Sequence, residues 1–380
     1  MRLMIAGGGT GGHLFPGVAL AEELRSREPG AAVRFVGTAR GIEARVLPGL
    51  GWDLVLIQVS GLKTVGALGA LRGLFRLPRA FWQARRVVKD FRPDVVVGVG
   101  GYASAPVVLM ARLMGVRTGI LEQNSLPGLA NKVLGRFAQA VFLAFEETRR
   151  FFKPKKILMT GNPIRRDIRL ALQAAGAGDA AGAVPDPAGT AATGAGAAAR
   201  PFRLFVFGGS QGAAALNIVV ADAAGLLAAR GVALDIVHQT GEANLEPTRA
   251  LYQAGGVAAD LRTFIADMAA EYRRADLVIA RSGATTVAEL GVVGRPAILV
   301  PYPFAADNHQ EINAREMAGA GAALMFRQND LTPGVLADAI AELAARPEKL
   351  VTMSTAMRAL GRPQAAAAIL DWCAATGGAR

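Results

Sequence analysis

MRLMIAGGGTGGHLFPGVALAEELRSREPGAAVRFVG (residues 1–37) is the stretch from which the fold can be read. The apolar run MRLMIA reads as a buried strand that ends in glycines. A helical pattern runs from about Phe15 to Arg27, and AVRFVG (32–37) is a second strand. Strand, helix and strand in so short a span make a parallel βαβ unit, because parallel neighbours need a crossover between them. The alternation continues through DVVVGVG (94–100), TGILEQN (118–124), AVFLAF (140–145) and KILMTG (156–161). It restarts at FRLFVFGG (202–209), followed by ALDIVHQTG (233–241), LRTFI (261–265), ADLVIARSG (275–283), PAILVPYP (296–303) and AALMF (322–326). The expectation is an α/β protein with two doubly wound domains in tandem, residues 1–160 and 161–380, with the C-terminal helix packing back on the first. Between the strand sets, residues 174–199 hold 13 Ala and six Gly with Val184 as the one larger aliphatic, and read as a flexible insertion.

Composition narrows the class. The chain has 380 residues, 52% of them hydrophobic, which excludes disorder and allows each domain its own core. One cysteine, Cys373, rules out an internal disulfide and fits a reducing compartment. The N-terminal strand turns into glycines without the longer apolar core of a signal peptide, and no apolar run approaches the ~18 residues that span a bilayer. Residues 1–160 carry 23 Lys+Arg against 10 Asp+Glu, whereas residues 161–380 carry 19 against 20. The first part alone therefore calls for an anionic partner, be it a nucleic acid, a phosphorylated substrate or an anionic lipid surface. There is no aromatic-plus-basic RNA motif or DNA-reading module, so nucleic acid is set aside.

Two glycine loops, GGGTGG (7–12) and GGSQGA (208–213), join a strand to a helix about 200 residues apart, and a third, GVGGYAS (98–104), follows its own strand. Such loops let a ligand approach the backbone and turn helix N-terminal amides toward phosphate. Gly7, Gly9 and Gly12 match the dinucleotide pattern, but the second strand ends in Gly37-Thr38-Ala39-Arg40 with no carboxylate for a ribose. His13 follows the first loop directly and is a candidate general base. Of the other two histidines, His238 lies within a strand and reads as structural, while His309 sits in the polar loop FAADNHQEINA (304–314). In RSGATTVAEL (281–290) the turn suits a phosphate. There Glu289 either accepts from a ribose diol or caps the helix.

GGTGGH (8–13), GVGGYAS, GNPIR (161–165), GGSQGA, RSGATTVAEL and DNHQEINA (307–314) stand in the order found in the MurG family of N-acetylglucosaminyltransferases, and the chain resembles that family over nearly its whole length. The resemblance implies two Rossmann-like domains facing across a cleft, the glycosyltransferase-B fold. It implies inverting transfer of N-acetylglucosamine from UDP-N-acetylglucosamine to the 4-hydroxyl of undecaprenyl-pyrophosphoryl-N-acetylmuramoyl-pentapeptide (lipid I), a step of peptidoglycan and cell wall synthesis on which cell shape and division depend. Carried over residue by residue, Arg165 and Ser210 meet the donor diphosphate, Ile265 the uracil, Thr286 the phosphate, Glu289 the ribose and Gln310 the sugar. Thr10, Gly11, Gly12 and Asn124 complete the donor site. His13 is the first choice of base and Glu122 its rival. The scheme calls for no metal and no cofactor. The poly-Ala/Gly insertion departs from the family pattern.

GALRGLFRLPRAFWQARR (69–86) sets Leu71, Leu74, Phe75, Phe81 and Trp82 among five arginines, with Pro78 as a break or a beginning of a helix. It reads as an ordinary packed helix or as an interfacial segment. The basic first domain and a lipid-linked acceptor favour peripheral attachment at the anionic cytoplasmic face of the cell (inner) membrane. Two further readings are another UDP-sugar-dependent glycolipid transferase of the same fold and an NADP-dependent oxidoreductase.

Overall fold

The computed structural model describes residues 1–59, 67–170, 200–209, 212–305 and 308–375, with 67–77 described by backbone path alone. Residues 174–199 therefore lie outside the described residues. The chain divides into two compact units, Met1–Arg166 with Arg362–Arg380, and Asp167–Gly361.

The first unit contains β1 (Arg2–Gly7), α1 (Gly11–Arg27), β2 (Ala32–Gly37), α2 (Glu43–Gly49), β3 (Asp53–Leu56), α3 (Ala67–Phe91), β4 (Val95–Gly100), α4 (Ser104–Leu113), β5 (Arg117–Glu122), α5 (Leu129–Leu134), β6 (Ala140–Leu143) and β7 (Ile157–Met159). Its strands form one parallel sheet in the order β3-β2-β1-β4-β5-β6-β7. The second unit contains β8 (Phe202–Phe207), α6 (Ala214–Ala229), β9 (Leu234–Gln239), α7 (Leu245–Ala254), β10 (Asp260–Arg262), α8 (Met268–Arg274), β11 (Leu277–Ala280), α9 (Ala284–Val293), β12 (Ala297–Leu299), α10 (His309–Gly319), β13 (Ala323–Met325), α11 (Pro333–Ala344) and α12 (Pro347–Ala359). Its parallel order is β10-β9-β8-β11-β12-β13. The last helix, α13 (Ala365–Ala374), belongs to the first unit. Two doubly wound parallel sheets are thus what the alternation of strand and helix builds.

Period-two side-chain alternation explains the layers. Leu3 and Ile5 of β1 pack with Leu14, Val18 and Leu24 of α1 and with Ile369 and Leu370 of α13. Met4 and Ala6 face the other way, onto Val87, Val88 and Phe91 of α3 and Val107 and Val108 of α4. In the second unit Leu204 and Val206 join α6, α11 and α12, through residues such as Leu216, Val220, Leu336 and Met353. On its opposite face Phe205, Phe207 and Tyr272 form an aromatic cluster with centroids 5.0–6.0 Å apart.

Three local expectations change. α1 starts at Gly11 rather than near Phe15, so Gly11, Gly12 and His13 make its first turn; the amides of an exposed helix start tolerate glycine where an interior would not. Pro78 lies inside α3 rather than at a boundary. The cost of its lost backbone bond is offset by burial of Ala80, Ala84, Val87, Val88 and Phe91 on one side of the same helix. Gly161–Arg166, read from sequence with the second domain, sit in the first unit. Gly161 donates to Leu143 O (3.0 Å) and, at φ +82°, lies so close to Arg362 that a Cβ would fall 2.3 Å from that side chain. Among the described residues no helix is long and apolar enough to cross a membrane.

Candidate active site

In the first unit the strand order reverses between β1 and β4, and loops leaving such a point form a natural ligand crevice. The loops after β1 and β4 meet there backbone to backbone, and Gln123, directly after β5, joins them through its side chain, which donates to Val99 O (2.8 Å). Gly8 N donates to Gly100 O (3.2 Å), and a Cβ on Gly101 (φ +79°) would lie 2.3 Å from Gly8 O, so only glycine allows the approach. Thr10 is the extended N-cap of α1, and its carbonyl accepts from His13 N and Leu14 N. With no acidic residue in the first turn, the amides at Gly11 and Gly12 present the positive end of a 17-residue helix.

Glu43 holds this loop from behind, and the sequence reading did not single it out. Its buried carboxylate accepts from Gly9 N (2.7 Å), Thr38 N (2.8 Å) and Thr38 Oγ1 (3.1 Å). A Cβ on Gly8, Gly37 or Gly41 would come within 2.0–2.5 Å of the Glu43 side chain, so three glycines make the space that this side chain fills. His13 is half-buried, and its Nδ1 lies 3.2 Å from Gln123 Oε1. Glu122 is 1% exposed and accepts from Asn124 N (3.0 Å), Gly128 N (3.1 Å) and Asn131 Nδ2 (2.9 Å). Burial raises its pKa above the usual carboxylate range, an effect opposed by these hydrogen bonds. All these partners lie on the loop and helix that carry Asn124, whose carbonyl is held by Thr148 Oγ1 (3.1 Å).

Arg165 follows β7 in the first unit, half-exposed beside the buried Ile164. Ser210 lies outside the described residues.

The remaining expected residues gather at the C-terminal strand ends of the second unit. Ile265 is buried, and its N–H donates to Gln239 Oε1 (2.8 Å); Gln239 Nε2 donates in turn to Gly209 O (3.0 Å). Gln239 ends β9 and so ties two loops together, a role absent from the sequence reading. Thr286 is in the first turn of α9, whose N-cap is Gly283 and which has no acidic residue in that turn. Glu289, a full turn further in and 4% exposed, accepts from Tyr272 Oη (3.0 Å). Gln310 Oε1 accepts from Tyr302 N (3.0 Å), and its carbonyl accepts from Ser282 Oγ (2.7 Å). Asn313 Nδ2 donates to Ser282 O (3.1 Å), stitching the turn before α9 to α10. Arg281 is buried beneath that turn, donating to Val300 O and Pro301 O (both 3.0 Å) and to Gln328 Oε1 (2.6 Å), and burial lowers its pKa. Among the described residues no three His, Cys, Asp or Glu side chains converge as metal ligands do.

Two anion-ready helix starts on two doubly wound sheets suit a nucleotide sugar and an acceptor that also carries phosphate. The comparisons with known proteins agree with this chemistry. Residues 3–143 match the glycosyltransferase family 28 N-terminal domain, and residues 203–369 its C-terminal domain. The chain is 50% identical over 374 residues to a protein of Anaeromyxobacter sp. (strain Fw109-5), covering 98% of this chain and 93% of the relative. It is 48% identical over 373 residues to one of Myxococcus xanthus (strain DK1622), with 98% and 92% covered. Both are named UDP-N-acetylglucosamine--N-acetylmuramyl-(pentapeptide) pyrophosphoryl-undecaprenol N-acetylglucosamine transferase. Among solved structures, Acinetobacter baumannii MurG is 32% identical with a TM-score of 0.77 and 98% of each chain covered. UDP-GlcNAc 2-epimerase from Neisseria meningitidis, 14% identical with a TM-score of 0.64 and 98% and 99% covered, shares the fold alone. Matched in both halves and nearly half identical to such relatives over almost all its length, the chain belongs to glycosyltransferase family 28, in the MurG family.

Proposed function

We propose that the protein transfers N-acetylglucosamine from UDP-N-acetylglucosamine to the 4-hydroxyl of undecaprenyl-pyrophosphoryl-N-acetylmuramoyl-pentapeptide, with inversion at the anomeric carbon. The observation that carries this reading is 50% identity, over 98% of the chain, to a transferase named for that donor and acceptor. The amides at the start of α9 with Thr286, together with Ser210 and Arg165, take up the donor diphosphate and the charge that grows on it as UDP leaves. Glu289, fixed by Tyr272, accepts from the ribose diol; Ile265 lies against the uracil; Gln310 bonds the sugar. Thr10, Gly11, Gly12 and Asn124 supply further contacts from the first unit.

His13 takes the proton of the attacking hydroxyl. As that O–H bond breaks, the oxygen's electron pair forms the new bond to the anomeric carbon, and the bond to the diphosphate breaks with its pair leaving on UDP. Glu122 is spoken for by the loop of Asn124, and its geometry supports the positioning of that residue over proton transfer.

The same reading places the protein peripherally on an anionic membrane surface, at the cytoplasmic face of the inner membrane. Leu113, Met114 and Phe137 are exposed in the first unit beside Arg112 and Arg136. Lys156 joins them, donating to Arg136 O (2.8 Å), and its pKa is lowered by burial and by neighbouring Lys153 and Arg112. Trp82 of α3 is 61% exposed, while the side chains of Leu71, Leu74 and Phe75 lie outside the described residues. Apolar groups among cations are what an interface with anionic lipid takes.

The test is transfer of radiolabelled N-acetylglucosamine from its UDP donor to a lipid-pyrophosphoryl-N-acetylmuramoyl-peptide, with UDP-glucose and UDP-galactose as competitors. Acceptor-dependent transfer selective for the N-acetylglucosamine donor is expected. UDP binding without transfer to that acceptor would leave the donor site standing and remove the acceptor assignment.

A further inference from the structure

His13 is held by a residue that has no charge. Gln123, directly after β5, is fully buried, and its Nε2 donates to Val99 O in β4 (2.8 Å). That bond fixes the orientation of the amide, since a flipped side chain would set two oxygens face to face at the same distance. Oε1 is therefore the atom turned to His13 Nδ1, 3.2 Å away. An amide oxygen accepts and cannot donate, so Nδ1 must carry the proton.

We propose that Gln123 is a positioning residue that holds His13 as its Nδ1–H tautomer, leaving Nε2 as the nitrogen that receives the acceptor's proton. The proposal rests on the reading of His13 as the base and adds what makes the ring competent for it. A free imidazole in water favours the opposite tautomer, in which Nε2 is already protonated and useless as a base. Gly100 completes the device: at φ +94° it lies so close to the ring that a Cβ would fall 2.7 Å from Nδ1, so the glycine leaves the room in which the ring meets the amide. When the hydroxyl proton arrives at Nε2, the resulting imidazolium keeps its Nδ1–H on Gln123. The ring then has no need to turn during transfer.

The first measurement is the 15N spectrum of histidine-labelled full-length protein, with the His13 signals assigned by difference against His13→Ala. The expected result is a neutral ring with a protonated Nδ1 and an unprotonated Nε2; the reverse pattern in the wild-type protein overturns the proposal without recourse to any variant. Gln123→Met keeps the volume and removes the acceptor. In that variant the His13 signals should move toward the Nε2–H form. Its kcat should fall at least about tenfold, while the KM for the UDP donor stays within about twofold. An unchanged tautomer in Gln123→Met also overturns the proposal, whatever happens to the rate. The two layers fail separately. A ring held as Nδ1–H in an enzyme whose His13→Ala variant turns over normally overturns the base reading. A ring held as the other tautomer, with His13→Ala inactive, overturns the role of Gln123 alone.

Discussion

One residue type ends in different chemical roles in this protein, and the difference lies in what surrounds each imidazole. His238 in β9 is fully buried, with Nδ1 3.0 Å from Tyr252 Oη and Nε2 3.1 Å from Asn217 Oδ1. Burial pushes its pKa from 6.5 down to about 3, so it stays neutral in the core through the physiological range. Because the folded pKa lies below the unfolded one, the unfolded chain takes up the proton first on acidification. The stability that this histidine contributes is therefore complete above pH 6.5 and is lost as pH falls toward 3. His238→Gln cannot titrate, and should flatten the dependence of unfolding free energy on pH by about 1.4 kcal/mol per pH unit between pH 6 and 4. Urea unfolding followed by far-UV circular dichroism checks this; equal slopes in the two proteins would refute it. His238 as a core residue was legible from its place inside a strand. Gln123, Glu43 and Gln239 were not, because the bonds that tie them to His13, Gly9 and Ile265 span 110, 34 and 26 residues of chain, and nothing in the spacing announces such a bond.

Among the elements, α13 shows most clearly how far sequence neighbours can be from spatial ones. It ends the chain, yet it lies against α1 in the first unit, with Ile369 and Leu370 buried beside Leu3 and Ile5. Asp371 meets Arg27 (2.6 Å), and Trp372 lies under the Arg117 guanidinium (3.7 Å to the ring centroid) and edge-on to Phe142 (5.3 Å). Most of the helix's contribution comes from apolar packing, since Arg27 and Asp371 are partly solvated and worth little as a pair. Ile369→Ala should accordingly lower the stability of the first unit by about 2–4 kcal/mol. Tryptophan fluorescence reports on this unit, because Trp52, Trp82 and Trp372 all lie in it. A midpoint in urea identical to that of the wild-type protein would show that α13 is dispensable to the core. Strand identities were readable because parallel strands buried on both faces are almost uniformly apolar. The start of α1 was less so, since glycine propensity argues against a helix turn that the exposed N-terminus in fact permits.

Across the whole molecule, charge is the property that local structure does not explain. The excess of Lys+Arg over Asp+Glu falls entirely within residues 1–160, and Arg112, Arg136 and Lys156 concentrate part of it beside exposed Leu113, Met114 and Phe137. Cosedimentation with phosphatidylglycerol vesicles should therefore exceed that with phosphatidylcholine and decline with added salt. The double variant Arg112→Ala with Arg136→Ala should bind the anionic vesicles roughly thirtyfold more weakly, at about 1 kcal/mol for each cation. Equal binding to both lipids would sink the proposed attachment. The sequence by itself determined the two doubly wound domains, because the alternation of apolar strands with helices has one economical solution. It also pointed to an anionic ligand, because glycine loops at strand ends expose amides that suit phosphate. Only the tertiary structure decided which side chains brace those loops and that the Gln123 amide meets Nδ1 of His13. Hydrogen bonds between loops depend on distance and direction in space, and a linear order of residues carries neither.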